Sequence, residues 1–206
     1  MTEQELEVLL AQGYETHGIE FKGPGSRTNP AYAAAVIRAI LGMANRRDGG
    51  FIILGIESDS LQAVGLGEQA DSWLDFDAVS ELVNQYASPS VSFDLRKLVF
   101  QTNTIVIIRV HEFEEVPILC KKEFHTGGKG PPVLRRGACY VRARHKPETS
   151  EIPSEEEMRE LLDLAIEKGV MKFLARAERV GLLRSAQSTS SESDESKFQK
   201  QLKEME

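Results

Sequence analysis

The chain is poor in the residues that would place it in the commoner functional classes. Its two cysteines, Cys120 and Cys139, lie on different expected strands without a CxxC pairing, which favours reduced, packed thiols over a disulfide or a zinc site. The four histidines, His17, His111, His125 and His145, form neither an HExxH motif nor a Cys/His cluster, so a zinc centre is not expected. A Walker-type phosphate loop is missing as well, which leaves an ATPase reading without support. No apolar run approaches the roughly 20 residues that span a bilayer. The opening residues, Met-Thr-Glu-Gln-Glu, lack a basic region followed by an apolar stretch, so neither a signal nor a transit peptide is expected, and the location is read as cytoplasmic without a membrane partner.

What is present describes a globular protein. The 206 residues are 41% hydrophobic and 28% charged, enough for one domain of ordinary size with an appendage. The net charge of −7 argues against coating nucleic acid by bulk charge, but the average conceals an asymmetry. Eight acids and no base lie between Glu57 and Asp94, whereas eight bases and one acid, Glu123, lie between Lys121 and Lys146. A local field of that kind steers a polyanion to one face.

Thr2 followed by Glu5 is a capping-box pattern that starts a short helix ending near Gly13. Ile19 and Phe21 then alternate with Glu20 and Lys22, so a strand there puts the two charges on one face. Asn29-Pro30 opens an alanine-rich helix running to about Asn45. Gly49-Gly50 stops it, and Phe51 to Ile56 reads as a strand covered on both faces. Ser58 to Ser60 makes a turn, with Gln62 to Leu66 returning as a hairpin. Phe76 to Tyr86 reads as a helix. Val91 to Phe100 and Ile105 to Val110 flank Thr102-Asn103 as a hairpin. Strands are expected at Pro117 to Lys122 and at Cys139 to Arg144, and a helix at Glu155 to Arg179 with a break at Gly169. The divisions are a domain over 1–150, a helical extension over 151–184, and a polar tail over 185–206, too rich in Ser, Thr, Asp and Glu to bury a core until a short helix from Phe198.

The chemistry concentrates near the N-terminus. Glu15, Glu20 and Lys22 lie on one short segment, and Glu57 and Asp59 follow the apolar strand. Carboxylates held about 4 Å apart repel by about 4 kcal/mol per pair at an effective dielectric near 20, so three of them call for a cation or for protons. Mg²⁺ or Mn²⁺ accepts carboxylate and phosphate oxygens together, lowers the pKa of bound water and stabilises a leaving oxygen, with Lys22 available to the phosphate or the water. Glu-x-Lys on a strand also occurs by chance, and alone it reads as a surface ion pair.

In order, however, Glu15-x4-Glu20-Phe21-Lys22, Ala44-Asn45 at a helix end, Gly49-Gly50, and Leu54-Gly55-Ile56-Glu57 resemble the Schlafen AlbA-type domain family. Arg135-x-Gly137-x-x-Tyr140-Val141-Arg142 resembles a later strand of the same family. The resemblance implies a mixed α/β or α+β single lobe, a mixed sheet packed against helices. It also implies nucleic-acid binding and, where three acids are kept, a metal-dependent endoribonuclease acting on structured RNA such as transfer RNA. The acids it carries over are Glu15, Glu20 and Glu57. The family usually has Asp in the third place, so either Glu57 or Asp59 completes the set.

The nucleic-acid surface is expected at Lys121, Lys122, Arg135, Arg136, Tyr140, Arg142, Arg144 and Lys146. There the arginines contact phosphate without reading sequence, and Tyr140 stacks on a base. Arg46 and Arg47 are lesser candidates. The leading expectation is a metal-dependent endoribonuclease. The alternatives are a non-catalytic nucleic-acid-binding module, or an assembly subunit that docks a partner through the C-terminal helix or tail. Because such cores pair two lobes into a clamp and this chain holds one, two copies are expected to associate.

Overall fold

The computed structural model describes residues 1–13, 16–127, 130–143 and 148–182. Helix α1 (Glu3–Ala11) begins at the capping box, with Glu5 N–H donating to Thr2 Oγ1 at 3.2 Å and Thr2 N–H to Glu5 Oε2 at 2.6 Å. Strand β1 (Ile19–Lys22) leads to helix α2 (Pro30–Ala44), where Asn29 Oδ1 accepts from the amides of Ala31 and Tyr32 and so satisfies donors the first turn leaves orphaned. Strand β2 (Gly50–Leu54) follows, then a 3-10 turn and helix α3 (Ala70–Leu74), helix α4 (Phe76–Asn84), β3 (Ala87–Ser88), β4 (Phe93–Phe100), β5 (Asn103–Val110), β6 (Leu119–Cys120), β7 (Tyr140–Arg142), β8 (Thr149–Glu151) and helix α5 (Glu155–Arg179).

The main sheet has the order β1-β2-β5-β4, with β1 parallel to β2 and the other pairs antiparallel. The fold is therefore α+β with a mixed sheet. Alternation assigns the side chains to two layers. Ile19, Phe21, Ile53, Ile105 and Ile107 pack with Leu6 of α1, while Ile52, Leu54, Val106 and Ile108 pack with Ile37, Ile40 and Met43 of α2. The apolar run in β2 is thus covered on both sides, as its sequence predicts. Glu20 and Lys22 face the α2 side.

The paired glycines are held by geometry. Gly49 has φ +64, and a Cβ there would lie 2.1 Å from the Val110 carbonyl oxygen; a Cβ at Gly50 would lie 2.3 Å from Met43 Sδ. Asn45, 5% exposed, ties the end of α2 to β7 and to the residue preceding β6: its Nδ2 donates to the carbonyls of Ile118 at 2.8 Å and Tyr140 at 2.9 Å, and its Oδ1 accepts from Ile118 N–H at 2.7 Å.

Several local expectations are corrected. The β4–β5 turn is Gln101-Thr102, both with positive φ, because the register pairs Phe100 with Asn103. The expected Gln62–Leu66 strand is reduced to an Ile56–Ala63 bridge. Helix α5 continues through Gly169 without a break. Helix α3, which buries Trp73, and strand β8 were not expected. The chain forms two compact units, residues 1–166 and 167–206. The expected tail lies outside the described residues. No helix among the described residues is long and apolar enough to cross a membrane.

Candidate functional site

Strand β1 delivers Glu20 to the layer between the sheet and α2, where the residue is 6% exposed. Its Oε2 accepts from Arg142 Nη1 at 2.7 Å and from Thr149 Oγ1 at 2.9 Å, and its Oε1 lies 2.5 Å from Lys22 Nζ. Arg142, on β7, has a side chain only 1% exposed and also donates Nη2–H to the Ile19 carbonyl at 2.8 Å. Arg38 of α2 adds a further tie, donating to the Thr149 carbonyl at 2.6 Å. A Cβ at Gly42 would lie 2.5 Å from Thr149 Cγ2, so that glycine lets β8 settle on α2. A charge removed from water is tolerated when it is paired and fully hydrogen-bonded, and this carboxylate is.

An open cleft runs beside this pair, lined by Glu20, Lys22, Arg38, Asp59, Glu148 and Thr149. Asp59 is held there by its neighbour Ser58, whose hydroxyl donates to the Phe21 carbonyl at 2.8 Å. Glu57 goes elsewhere. Its carboxylate lies over Gly23, where an added Cβ would meet Oε1 at 2.8 Å, and it joins burial in pushing the Tyr32 phenol up. Of the two acids offered as the third member of the set, Asp59 is the one that shares the cleft with Glu20. Glu15 lies outside the described residues.

Both Glu20 oxygens already face cations, and among the described residues no three His, Cys, Asp or Glu side chains are grouped to hold a metal ion. The described residues do not fit Mg²⁺ or Mn²⁺ as they stand.

The basic residues form a second feature. Cys120 N–H donates to Ala138 O at 2.8 Å, Gly137 N–H to Cys120 O at 2.7 Å, and Phe124 N–H to Leu134 O at 2.8 Å, which lines residues 120–124 against 134–138 as the arms of a hairpin. Lys121 and Lys122 are exposed on one arm, Arg135 and Arg136 on the other. Lys121 N–H donates to the Tyr86 carbonyl at 2.7 Å and Lys122 Nζ lies 5.3 Å from the Tyr86 ring centroid, so Tyr86, between α4 and β3, anchors the outgoing arm. Arg135 forks onto Glu151, with Nε 2.8 Å from Oε1 and Nη2 on Oε2, and this guanidinium holds the Glu151 carboxyl below its ordinary value.

Two expected contact residues are corrected. Tyr140 is 2% exposed, with its hydroxyl oxygen accepting from Arg135 N–H at 2.8 Å, so it supports the hairpin from inside instead of presenting a stacking face. Arg142 is interior, because β7 packs on α2 and turns it toward Glu20. Arg144 and Lys146 lie outside the described residues. His17 is exposed, and its carbonyl accepts from Arg142 Nε at 3.4 Å. Arg46 is used locally, donating to the Arg47 and Gly49 carbonyls. Sequence reasoning missed Arg38, whose signal was a lone cation on an alanine-rich helix. It also missed Thr149, which carried no signal.

Eighteen solved chains resemble this one. The DIP2311 protein from Corynebacterium diphtheriae is 18% identical at a TM-score of 0.48, over 71% of this chain and 25% of its own. This chain therefore spans about a quarter of that protein's length. The N-terminal domain of a putative ATP-dependent DNA helicase RecG-related protein from Nitrosomonas europaea is 20% identical at a TM-score of 0.48, over 66% of this chain and 88% of its own. No curated protein matches the sequence. The sequence model of the family described as Schlafen, AlbA_2 matches residues 15–150, well over half of the chain, and the protein belongs to that Schlafen AlbA family.

Proposed function

We propose that the protein is a nucleic-acid-binding module that grips phosphate through the 120–138 hairpin and uses the Glu20–Arg142 pair as structure. Family membership supports a nucleic-acid-related function. The observation that carries the finer reading is the hairpin itself, in which local pairing gathers Lys121, Lys122, Arg135 and Arg136 on two adjacent exposed arms of an acidic protein. Such contacts position a backbone without reading bases. RNA is the favoured ligand on the family resemblance, and two copies of the lobe supply the two halves of a groove. Anisotropy titration of a labelled structured RNA against the wild type and a Lys121→Ala/Arg136→Ala variant tests it: weaker binding in the variant supports the reading, and equal affinity removes the hairpin.

A metal-dependent endoribonuclease is the second reading, favoured by one observation, that Asp59 and Lys22 line the same cleft as Glu20. It requires Glu15 to join them and Glu20 to part from Arg142. Incubation of structured RNA with Mn²⁺ or Mg²⁺ tests it. Metal-dependent cleavage that Asp59→Asn abolishes supports it, and intact RNA counts against it.

A further inference from the structure

Strand β4 is one edge of the main sheet, and its outer side is unpaired. The two-residue turn at Gln101-Thr102, both with positive φ, makes Phe100 and Asn103 a hydrogen-bonded pair. Bonded pairs with β5 then recur at every second residue, through Leu98, Arg96 and Asp94 to Ser92, whose carbonyl accepts from His111 N–H at 2.9 Å. Phe93, Leu95, Lys97 and Val99 therefore turn their N–H and C=O groups away from β5. Among the described residues none of these groups has a hydrogen-bond partner. At the opposite edge of the sheet the carbonyls of Ile19 and Phe21 are taken, by Arg142 Nη2 and Ser58 Oγ, both at 2.8 Å. An unpaired edge of eight residues is a template for one more strand.

The side chains say which strand. Asp94 and Arg96 are exposed and stand opposite Arg109 and Ile107, on the α1 side of the sheet. Phe93, Leu95 and Lys97 stand opposite Val110, Ile108 and Val106, on the α2 side. Asp94 meets His111 Nε2 through Oδ2 at 2.8 Å, and Arg109 is turned to the Asp48 carbonyl and the Phe51 ring, so Asp94 Oδ1 is left over. The side chains of Arg96 and Lys97 have no carboxylate partner among the described residues.

Two copies of β4 laid antiparallel and centred on Leu95 set Asp94 of each against Arg96 of the other. These are non-bonded pairs, where the Cα atoms approach to about 4.5 Å and side chains meet most closely. The same register brings Lys97 opposite Phe93, beside the 51% exposed ring of Phe76 whose centroid is 5.3 Å from that of Phe93. Centring on Asp94, Arg96 or Lys97 instead sets like charge against like. Centring on Leu98 or Val99 leaves Arg96 without an acid. A parallel pair in register also sets like against like.

We propose that β4 pairs antiparallel with β4 of a second copy of this chain, centred on Leu95, so that the two main sheets join edge to edge. The proposal rests on the two-copy reading above and names its surface. It does not depend on what the hairpin binds.

Light scattering on the full chain at micromolar concentration tests both layers separately. The expected mass is twice 22.9 kDa for the wild type and 22.9 kDa for Lys97→Pro, which removes an outward N–H and leaves the ladder to β5 intact. Arg96→Asp, a surface change that serves if the proline variant fails to fold, sets carboxylate against carboxylate and is expected to give 22.9 kDa with unchanged far-ultraviolet circular dichroism. Asp94→Arg/Arg96→Asp exchanges the two charges and is expected to restore the dimer. A monomeric wild type overturns the pairing and the two-copy reading together. A dimer indifferent to Lys97→Pro and Arg96→Asp overturns the β4 pairing alone. A charge exchange that stays monomeric overturns the register centred on Leu95.

Discussion

Arg142 Nη1 lies 2.7 Å from Glu20 Oε2 across a sequence separation of 122 residues, with both side chains withdrawn from solvent. This contact joins β7 to the edge strand of the main sheet. It pairs two residues with each other, one expected to hold a metal and the other expected to hold phosphate. Removing one member strands the other's charge in the interior. Arg142→Ala is expected to lose about 3–5 kcal/mol of stability in urea denaturation, and Glu20→Gln/Arg142→Met is expected to lose less than the single variant. A double variant no better than Arg142→Ala would show that the loss is packing and not stranded charge.

Asn45 tests the second long-range tie. Asn45→Ala leaves the Ile118 N–H and the carbonyls of Ile118 and Tyr140 without their partner. At about 1–3 kcal/mol for each buried group left unsatisfied, the expected loss is at least about 3 kcal/mol by chemical denaturation.

Gly49 and Gly13 separate strain from collision. Both have positive φ, +64 and +76, but a Cβ at Gly49 would strike the Val110 carbonyl whereas nothing lies within 4 Å of one at Gly13. Gly13→Ala is therefore expected to cost about 1 kcal/mol, and Gly49→Ala clearly more, in the same assay. Equal losses would mean the strand has room to move.

These ties explain what was legible in the sequence and what was not. The Asn29-Pro30 start of α2, the capping box, the two-sided β2 and the Gly49-Gly50 turn are written in adjacent residues, so local chemistry reveals them. The position of Glu20 was equally plain. Its partner was not, because nothing near Arg142 distinguishes an arginine that faces water from one that reaches a strand 122 residues away. Strand β8 is three residues of mostly polar chain, and the Gln101-Thr102 turn lacks the Asn-Gly signal, so periodicity had nothing to act on.

Burial pushes the Cys139 thiol up to about 11. Between the ordinary thiol value and about 11 the unfolded chain gives up this proton while the native chain keeps it, so the native state binds more protons and stability falls as pH rises. Thermal denaturation from pH 8 to pH 11 is expected to show that decline, flattened in Cys139→Ala. An unchanged slope in the variant would assign the decline to other groups.

The central claim is that the hairpin binds nucleic acid by charge while Glu20 serves the fold. It is tested most directly by the affinity for a structured RNA across a salt series, with and without Mn²⁺. The account predicts a linear fall of log K with log salt, unaffected by Mn²⁺, that loses roughly 0.7–0.9 of its slope for each of Lys121 and Arg136 replaced by Ala. Binding that requires Mn²⁺, or a slope that ignores both substitutions, would contradict it.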